Sequence, residues 1–208
     1  MSKHRLQRNW KKSIKSGKQN KLSKSPEMRL FMCSFFQGPK TRWKNHIVGF
    51  GMHIDHAENK GHVFDAGLYR CTAPDGVNPD EFFAPFLGNG YDCNYSPVPF
   101  PSENCGTFEF QWTIGGKITL FPDNLGLPLG RDDGTVEYFM TEVHYENPDR
   151  RSDLKIRAGF NVYYTPSLRP TEIGQIQLAF MTNKTFSLTI PPNSEDFLVS
   201  SHCPMECT

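Results

Sequence analysis

The chain has 208 residues, of which 22% are charged and 37% hydrophobic, and a formal net charge of +1. That length suits one domain or two small ones and is enough to bury a real core. No run of about 18 apolar residues occurs, so no segment reads as a membrane-spanning helix.

The near-neutral total conceals an asymmetry. Residues 1–26 hold nine Lys and Arg and no acid, which leaves 14 bases against 22 acids in the remainder. A segment so rich in Lys, Ser, Asn and Gln buries too little apolar surface to fold alone. Residues 1–28 are therefore expected to be a disordered basic leader, with residues 29–208 forming the folded domain. The leader lacks the apolar stretch of a secretory signal peptide. It also lacks the aromatic interleaving of a nucleic-acid-binding arm, so no nucleic-acid partner is expected.

From Phe31 onward, short apolar or alternating runs are separated by turn residues. Strands are expected at Asn45–Met52 and Val63–Arg70. A short helix is expected at 78–87, with Pro79 in its first turn and Asp80 and Glu81 at its positive end. Thr107–Thr113 reads as a half-buried strand with Phe108, Phe110 and Trp112 alternating. Further strands are expected at Lys117–Phe121, Val136–Tyr145, Ile156–Thr165, Glu172–Met181, Thr185–Ile190 and Phe197–Ser201. Turn chemistry separates them at Asp132-Asp133-Gly134, Asn147-Pro148-Asp149 and Pro191-Pro192-Asn193. The reading is an all-β, antiparallel sandwich.

Six cysteines (33, 71, 93, 105, 203 and 207) form no CxxC pair and accompany no zinc-finger histidines. They read as disulfides of an oxidising compartment, in any of 15 full connectivities. The sequons at Asn94 and Asn183 point to the same compartment and to glycosylation. Neither Gly-x-Ser-x-Gly nor a phosphate-cradling glycine loop is present. His53-Ile54-Asp55-His56 invites a metal reading, but its polar surroundings favour a solvated loop.

Several fragments, in order, carry a resemblance. They are Phe31-Met32-Cys33, Phe64-Asp65-Ala66-Gly67-Leu68-Tyr69-Arg70-Cys71, Gly115-Gly116-Lys117 and Gly126-Leu127-Pro128-Leu129-Gly130. Glu142-Val143-His144-Tyr145-Glu146-Asn147-Pro148, Val162-Tyr163-Tyr164-Thr165, Ile173-Gly174 and Ile190-Pro191-Pro192 complete the set. Together they resemble the amino-terminal domain of the copper type II, ascorbate-dependent monooxygenases, of the dopamine and tyramine β-hydroxylase kind. The resemblance implies a jelly-roll-like sandwich with disulfides Cys33–Cys93 and Cys71–Cys105. In the family, the pair matching Cys203 and Cys207 bonds to a second copper domain, which this chain does not contain, so here the two are expected as free thiols, as a pair bonded to each other, or as links to another chain. The resemblance also implies a secretory-pathway protein, outside the cell or in a vesicle lumen.

In that family three histidines of the first domain hold a copper that stores electrons from ascorbate, and the second domain activates dioxygen. Carried over by position, His144 keeps its ligand role, and Phe64 and Asp65 stand where the other two histidines are expected. Phe has no donor atom, and a carboxylate matches reduced copper poorly. A rebuilt site of His62, Asp65 and His144 is the remaining copper hypothesis, with His62 two residues before Phe64 on the same strand face. His144 itself is expected to point inward from its strand. The expectation is a family member or fragment carrying only the electron-transfer domain, with two of its three ligands replaced and no catalysis by itself. The alternative is a secreted binding module on the same sandwich, for which Phe82, Phe83 and Phe86 are candidate contact residues, with core packing as their default role.

Overall fold

The computed structural model describes residues 11–12, 20–21, 29–41, 43–55, 57–94, 96, 99–130, 136–151, 154–176 and 190–198. The chain divides into two compact units, Met1–Gln175 and Ile176–Thr208. In the second unit the described residues 190–198 run through turns and irregular backbone, all exposed. Phe197 and Leu198 therefore do not open the expected strand. The sequence offers a reason, since Pro191-Pro192-Asn193 is followed by acidic and polar residues and little alternation. The rest of that strand, the one at 185–189, Cys203, Cys207 and Asn183 lie outside the described residues.

The first unit is a sandwich of two sheets. Among the described residues its strands are β1 Lys11–Lys12, β2 Asn20–Lys21, β3 Arg29–Gln37, β4 Asn45–Ile54, β5 Val63–Cys71, β6 Gly90–Asp92 and β7 Thr107–Thr113. They continue as β8 Thr119–Leu120, β9 Leu125–Leu129, β10 Tyr138–Glu146, β11 Lys155–Ile156, β12 Ala158–Thr165 and β13 Thr171–Glu172. One sheet runs β1-β12-β4-β9-β13, with β8 also on β4. The other runs β6-β3-β10-β5-β7, and β11 pairs with β2 alone. All pairings are antiparallel except β13 on β9. Of the basic leader, the described residues make two short pairings, Lys11–Lys12 on β12 and Asn20–Lys21 on β11, where composition predicts no regular structure.

The expected strands between Asn45 and Thr165 survive with changed ends. Lys117–Phe121 shrinks to Thr119–Leu120, and Ile156–Thr165 breaks at Arg157. Of Glu172–Met181, the described part is strand only at Glu172. The short helix α1 spans Pro79–Phe83, capped by the Asn78 side chain accepting from the Asp80 N–H at 2.9 Å. A 3-10 turn at 84–86 extends it.

Between the sheets lies an apolar core that includes Ile47, Phe50, Leu68, Phe139, Val143 and Phe160. A second cluster lies on the far face of the β10 sheet. There α1 and the following segment cover Phe35, Tyr138 and Met140, close to both disulfides, Cys33–Cys93 and Cys71–Cys105. Each bridge closes a long loop and is worth about 2–4 kcal/mol. Phe83 is fully buried in this cluster, stacked on Tyr138, and Phe82 and Phe86 are packed against it. Phe83 is thus a core residue, and Phe82 and Phe86 pack half-buried onto its cluster, the packing role that is their default. Tyr138 accepts from Gln37 at 2.9 Å and donates to Asp80, tying α1 to the sheet. Burial, with the Asp80 hydrogen bond, pushes the Tyr138 hydroxyl up to about 12.

His46 ties β4 to the chain that follows β12. It is fully buried, and its Nδ1 accepts from the Arg169 N–H at 2.9 Å. The proton of a neutral ring therefore sits on Nε2, which faces Glu172 Oε1 at 3.3 Å. Its neighbour Gly126 leaves no room for a side chain, because a Cβ there would lie 2.3 Å from His46 Nδ1. Gly126→Ala should lower stability by about 1–3 kcal/mol through overpacking. Urea denaturation of the full chain checks this, and an unchanged midpoint would mean that the ring can shift.

Candidate functional site

α1 and the disulfide-linked segment cover one half of the outer face of the β10 sheet. The other half is open. Along β10 the outward residues pass from Tyr138 and Met140, both buried, to Glu142, His144 and Glu146, all half-buried. The pairing register sets Phe31 of β3 and Asp65 of β5 on either side of His144. These residues, with Arg29, Phe64 and Tyr145, line a cleft of about 240 Å³. His144 thus faces outward, contrary to the inward orientation expected from sequence. The core side of β10 is filled by Val143 and Tyr145, so the histidine falls on the other face.

A bulge shapes the cleft. His144 pairs with Asp65, but Tyr145 pairs with Val63, so Phe64 is an extra residue in β5. Val63 and Ala66 remain buried, whereas Phe64 is 49% exposed and Asp65 is half-buried. In an unbroken strand two adjacent residues point to opposite faces, and a bulge re-aims them. Phe64, Asp65 and His144 therefore line the same cleft. His62 does not join them. It ends a 3-10 helix at 57–62, ahead of β5, and its Nδ1 lies 3.0 Å from the Glu146 carbonyl oxygen. Placing His62 on the strand face by period two fails because the strand starts after it.

His144 is held on both sides. Its Nδ1 lies 2.8 Å from Asp65 Oδ1, and its Nε2 lies 3.0 Å from Glu142 Oε1. A neutral imidazole can donate only one N–H, so both carboxylates are satisfied together only by the imidazolium, which has no lone pair for a metal. The Phe31 ring meets the imidazole edge-on, with centroids 4.1 Å apart. Arg29 pairs with Glu146 at 3.2 Å on the rim.

Tyr69 extends the network. Its hydroxyl hydrogen-bonds to Glu142, and its ring lies across Gly67, where a Cβ would sit 2.8 Å from it. Burial, then the charge and hydrogen bond of Glu142, and then Asp65 hold the Tyr69 hydroxyl above its ordinary value of 10.0. Asp65 and His144 are legible as site residues from sequence, whereas Glu142 reads there as a flanking acid and Tyr69 as one more strand aromatic. The signal for Glu142 is its spacing, since Glu142 and His144 are two residues apart on one strand and share a face.

The chemistry of this donor set is poor for copper. Phe64 offers no ligand atom, and both nitrogens of His144 face carboxylates. Among the described residues no group of three or more His, Cys, Asp and Glu is placed to hold a metal ion. In the His53 motif, His53 Nε2 lies 2.7 Å from Asp55 Oδ1 in an exposed hydrogen bond, and His56 lies outside the described residues. Asn94 is exposed in the turn after Cys93.

Residues 18–152 match the profile of the copper type II ascorbate-dependent monooxygenase, N-terminal domain. The human DBH-like monooxygenase protein 1 is 28% identical over 180 residues, which cover 85% of this chain and 27% of that protein. Dopamine beta-hydroxylase of Rattus norvegicus is 28% identical over 178 residues, 86% of this chain and 27% of the relative. Tyramine beta-hydroxylase of Caenorhabditis briggsae is 32% identical over 117 residues, 56% of this chain and 20% of the relative. The chain thus spans about a quarter of the length of the relatives it matches.

Glu142→Gln should bring the Tyr69 hydroxyl down toward its ordinary value, because a neutral amide no longer opposes the tyrosinate. Tyrosinate absorbance during an alkaline titration, with Tyr69→Phe subtracted, reads the change. An unmoved titration would show that burial alone sets it.

Proposed function

The chain belongs to the copper type II ascorbate-dependent monooxygenase N-terminal domain family, and from that premise we propose that it is a member whose electron-storing copper site has been replaced by an ion-pair network. One observation carries the reading. The three positions marked by the family resemblance, Phe64, Asp65 and His144, line one cleft, yet they supply one imidazole engaged at both nitrogens, one carboxylate already paired, and a phenyl ring. The three positions share one cleft, and the donor atoms of a three-histidine site are missing from it.

In this reading Asp65 and Glu142 satisfy the charge and hydrogen bonds of His144 without metal, and Phe64 closes the third position with apolar surface. Copper from the medium would have to displace two carboxylates from the ring and would gain at most a hard oxygen ligand in return. The domain by itself then neither stores electrons from ascorbate nor hydroxylates a substrate. Its disulfides, together with an exposed sequon asparagine at Asn94, support a place in the secretory pathway and glycosylation there. Asn183 and the inter-domain role of Cys203 and Cys207 belong to the same reading. So do a basic leader over residues 1–28 and a second copper domain as partner in longer relatives.

A binding module on the same sandwich is the second reading. The observation that favours it is Phe64, a large apolar side chain 49% exposed on the wall of an open cleft.

Copper titration distinguishes the network from a rebuilt site. The full oxidised chain should take up no tight copper, and His144→Ala should change nothing. Phe64→His with Asp65→His should gain about one tight copper per chain, read by calorimetry and by the cupric spin signal. One tight copper in the unaltered chain, lost in His144→Ala, would sink the reading.

A further inference from the structure

A second bulge, in β7, brings charge into the sandwich. Leu68 pairs with Phe110, but Tyr69 pairs with Phe108, so Glu109 is an extra residue. Phe110 and Trp112 face the core as the alternation requires. Phe108 instead meets the ring of Tyr69, edge to face with centroids 5.3 Å apart, and Glu109 turns inward in its place. The expected alternation of three aromatics thus ends one residue early.

Glu109 meets Arg70 of β5 and Glu137, the residue ahead of β10. Arg70 Nε donates to Glu109 Oε1 at 2.6 Å, Nη1 to Glu137 Oε1, and Nη2 to the Pro128 carbonyl of β9 at 3.0 Å. The guanidinium lies over the Phe139 ring of β10, 5.5 Å from its centroid. One cation therefore faces two carboxylates. The side chain of Glu109 is 2% exposed and that of Glu137 is 16% exposed. The Oε2 atoms of both are buried without a hydrogen-bond partner among the described residues. A buried carboxylate in excess of its counter-charge is costly, and a proton is the smallest ligand that removes the excess.

We propose that the Glu109 carboxyl holds a proton in the folded domain, because Arg70 is one cation before two carboxyl groups, so that the cluster is a clasp that tightens on proton uptake. Among the described residues, Arg70 of β5, Glu109 of β7, Glu137 ahead of β10 and the Pro128 carbonyl of β9 meet there, and Gln175 Nε2 donates to the Glu109 carbonyl at 2.9 Å. Burial pushes the Glu109 carboxyl up, Arg70 opposes this, and the charge of Glu137 adds to it. A carboxyl raised in the folded state binds more protons there than in the unfolded chain. Its contribution is present in full below the ordinary value of 4.5 and is lost as pH rises through the raised value. Across that window one proton changes the folded-to-unfolded ratio by up to about tenfold per pH unit.

The test is a carbon-13 titration of the glutamate side-chain carboxyls in the full oxidised chain. One δ-carbon should titrate well above the others. It should be missing in Glu109→Gln and move down in Glu137→Gln, where one carboxylate has Arg70 to itself. Urea denaturation at pH 5 and pH 8 should show a loss of stability at the higher pH that Glu109→Gln abolishes. If every glutamate carbon of the unaltered chain titrates in the ordinary range, the proposal falls, and that outcome does not depend on any variant folding. Stabilisation by added calcium at constant ionic strength, with ordinary titrations throughout, would place a cation between the carboxylates and overturn it as well.

Discussion

A strand side chain has two directions available, and a single inserted residue exchanges them for everything beyond it. Two such insertions in β5 and β7 decide what this domain presents and what it buries. At Phe64 the extra residue turns Phe64 and Asp65 toward the cleft while Val63 and Ala66 keep their places in the core. At Glu109 the exchange runs the other way, carrying a carboxylate inward and an aromatic ring outward. Without the first, Phe64 and Asp65 would fall on opposite faces. Without the second, Arg70 would face Glu137 alone.

Between the bulges the ladder is regular, and β10 is its axis. Its nine residues pair without interruption to β3, from Tyr138 on Gln37 to Glu146 on Arg29. The same strand supplies the core from one face and two environments from the other. Its Tyr138 and Met140 lie under α1, and its Glu142 and His144 lie in the open half. The covered half anchors the open half, because the aromatic cluster fixes the register that sets His144 beside Asp65. Changes in the cleft can therefore accumulate without unfolding the sheet that carries them.

The alternation of apolar residues makes most strands legible from sequence, with the helix at Pro79 marked by its cap and its first-turn acids. What is not legible follows from the same rule. Period two places His62 beside Phe64 and Phe108 beside Phe110, and both inferences fail where regular pairing stops, at the start of β5 and at the β7 bulge. A bulge adds one residue with no distinctive composition, so a single chain gives no warning of it. The inward reading of His144 fails for another reason. Val143 and Tyr145 fill the core side, and a strand of mixed aromatic and polar residues does not announce which set the core will take. His46 carries no signal of its role in the sequence, because its partners, Arg169 and Glu172, lie more than 120 residues away.

On the proposed reading, the cleft gives up a metal position without an energetic gap. Removing an ion from a cage of three imidazoles would leave lone pairs directed at one another in a partly dry pocket. Here two of the three positions carry other chemistry, and both nitrogens of the remaining imidazole face carboxylates. At half-exposed positions such pairs contribute little to stability. Their effect is on geometry, since they fix the ring plane against Phe31 and engage both nitrogens. Restoring a copper site would thus require more than one new histidine. The replacement at Asp65 would have to free Nδ1, and a copper at Nε2 would still compete with Glu142, which is itself bonded to Tyr69. The network acts as a unit, so on that reading the loss of copper chemistry belongs to the whole face and not to Phe64 alone.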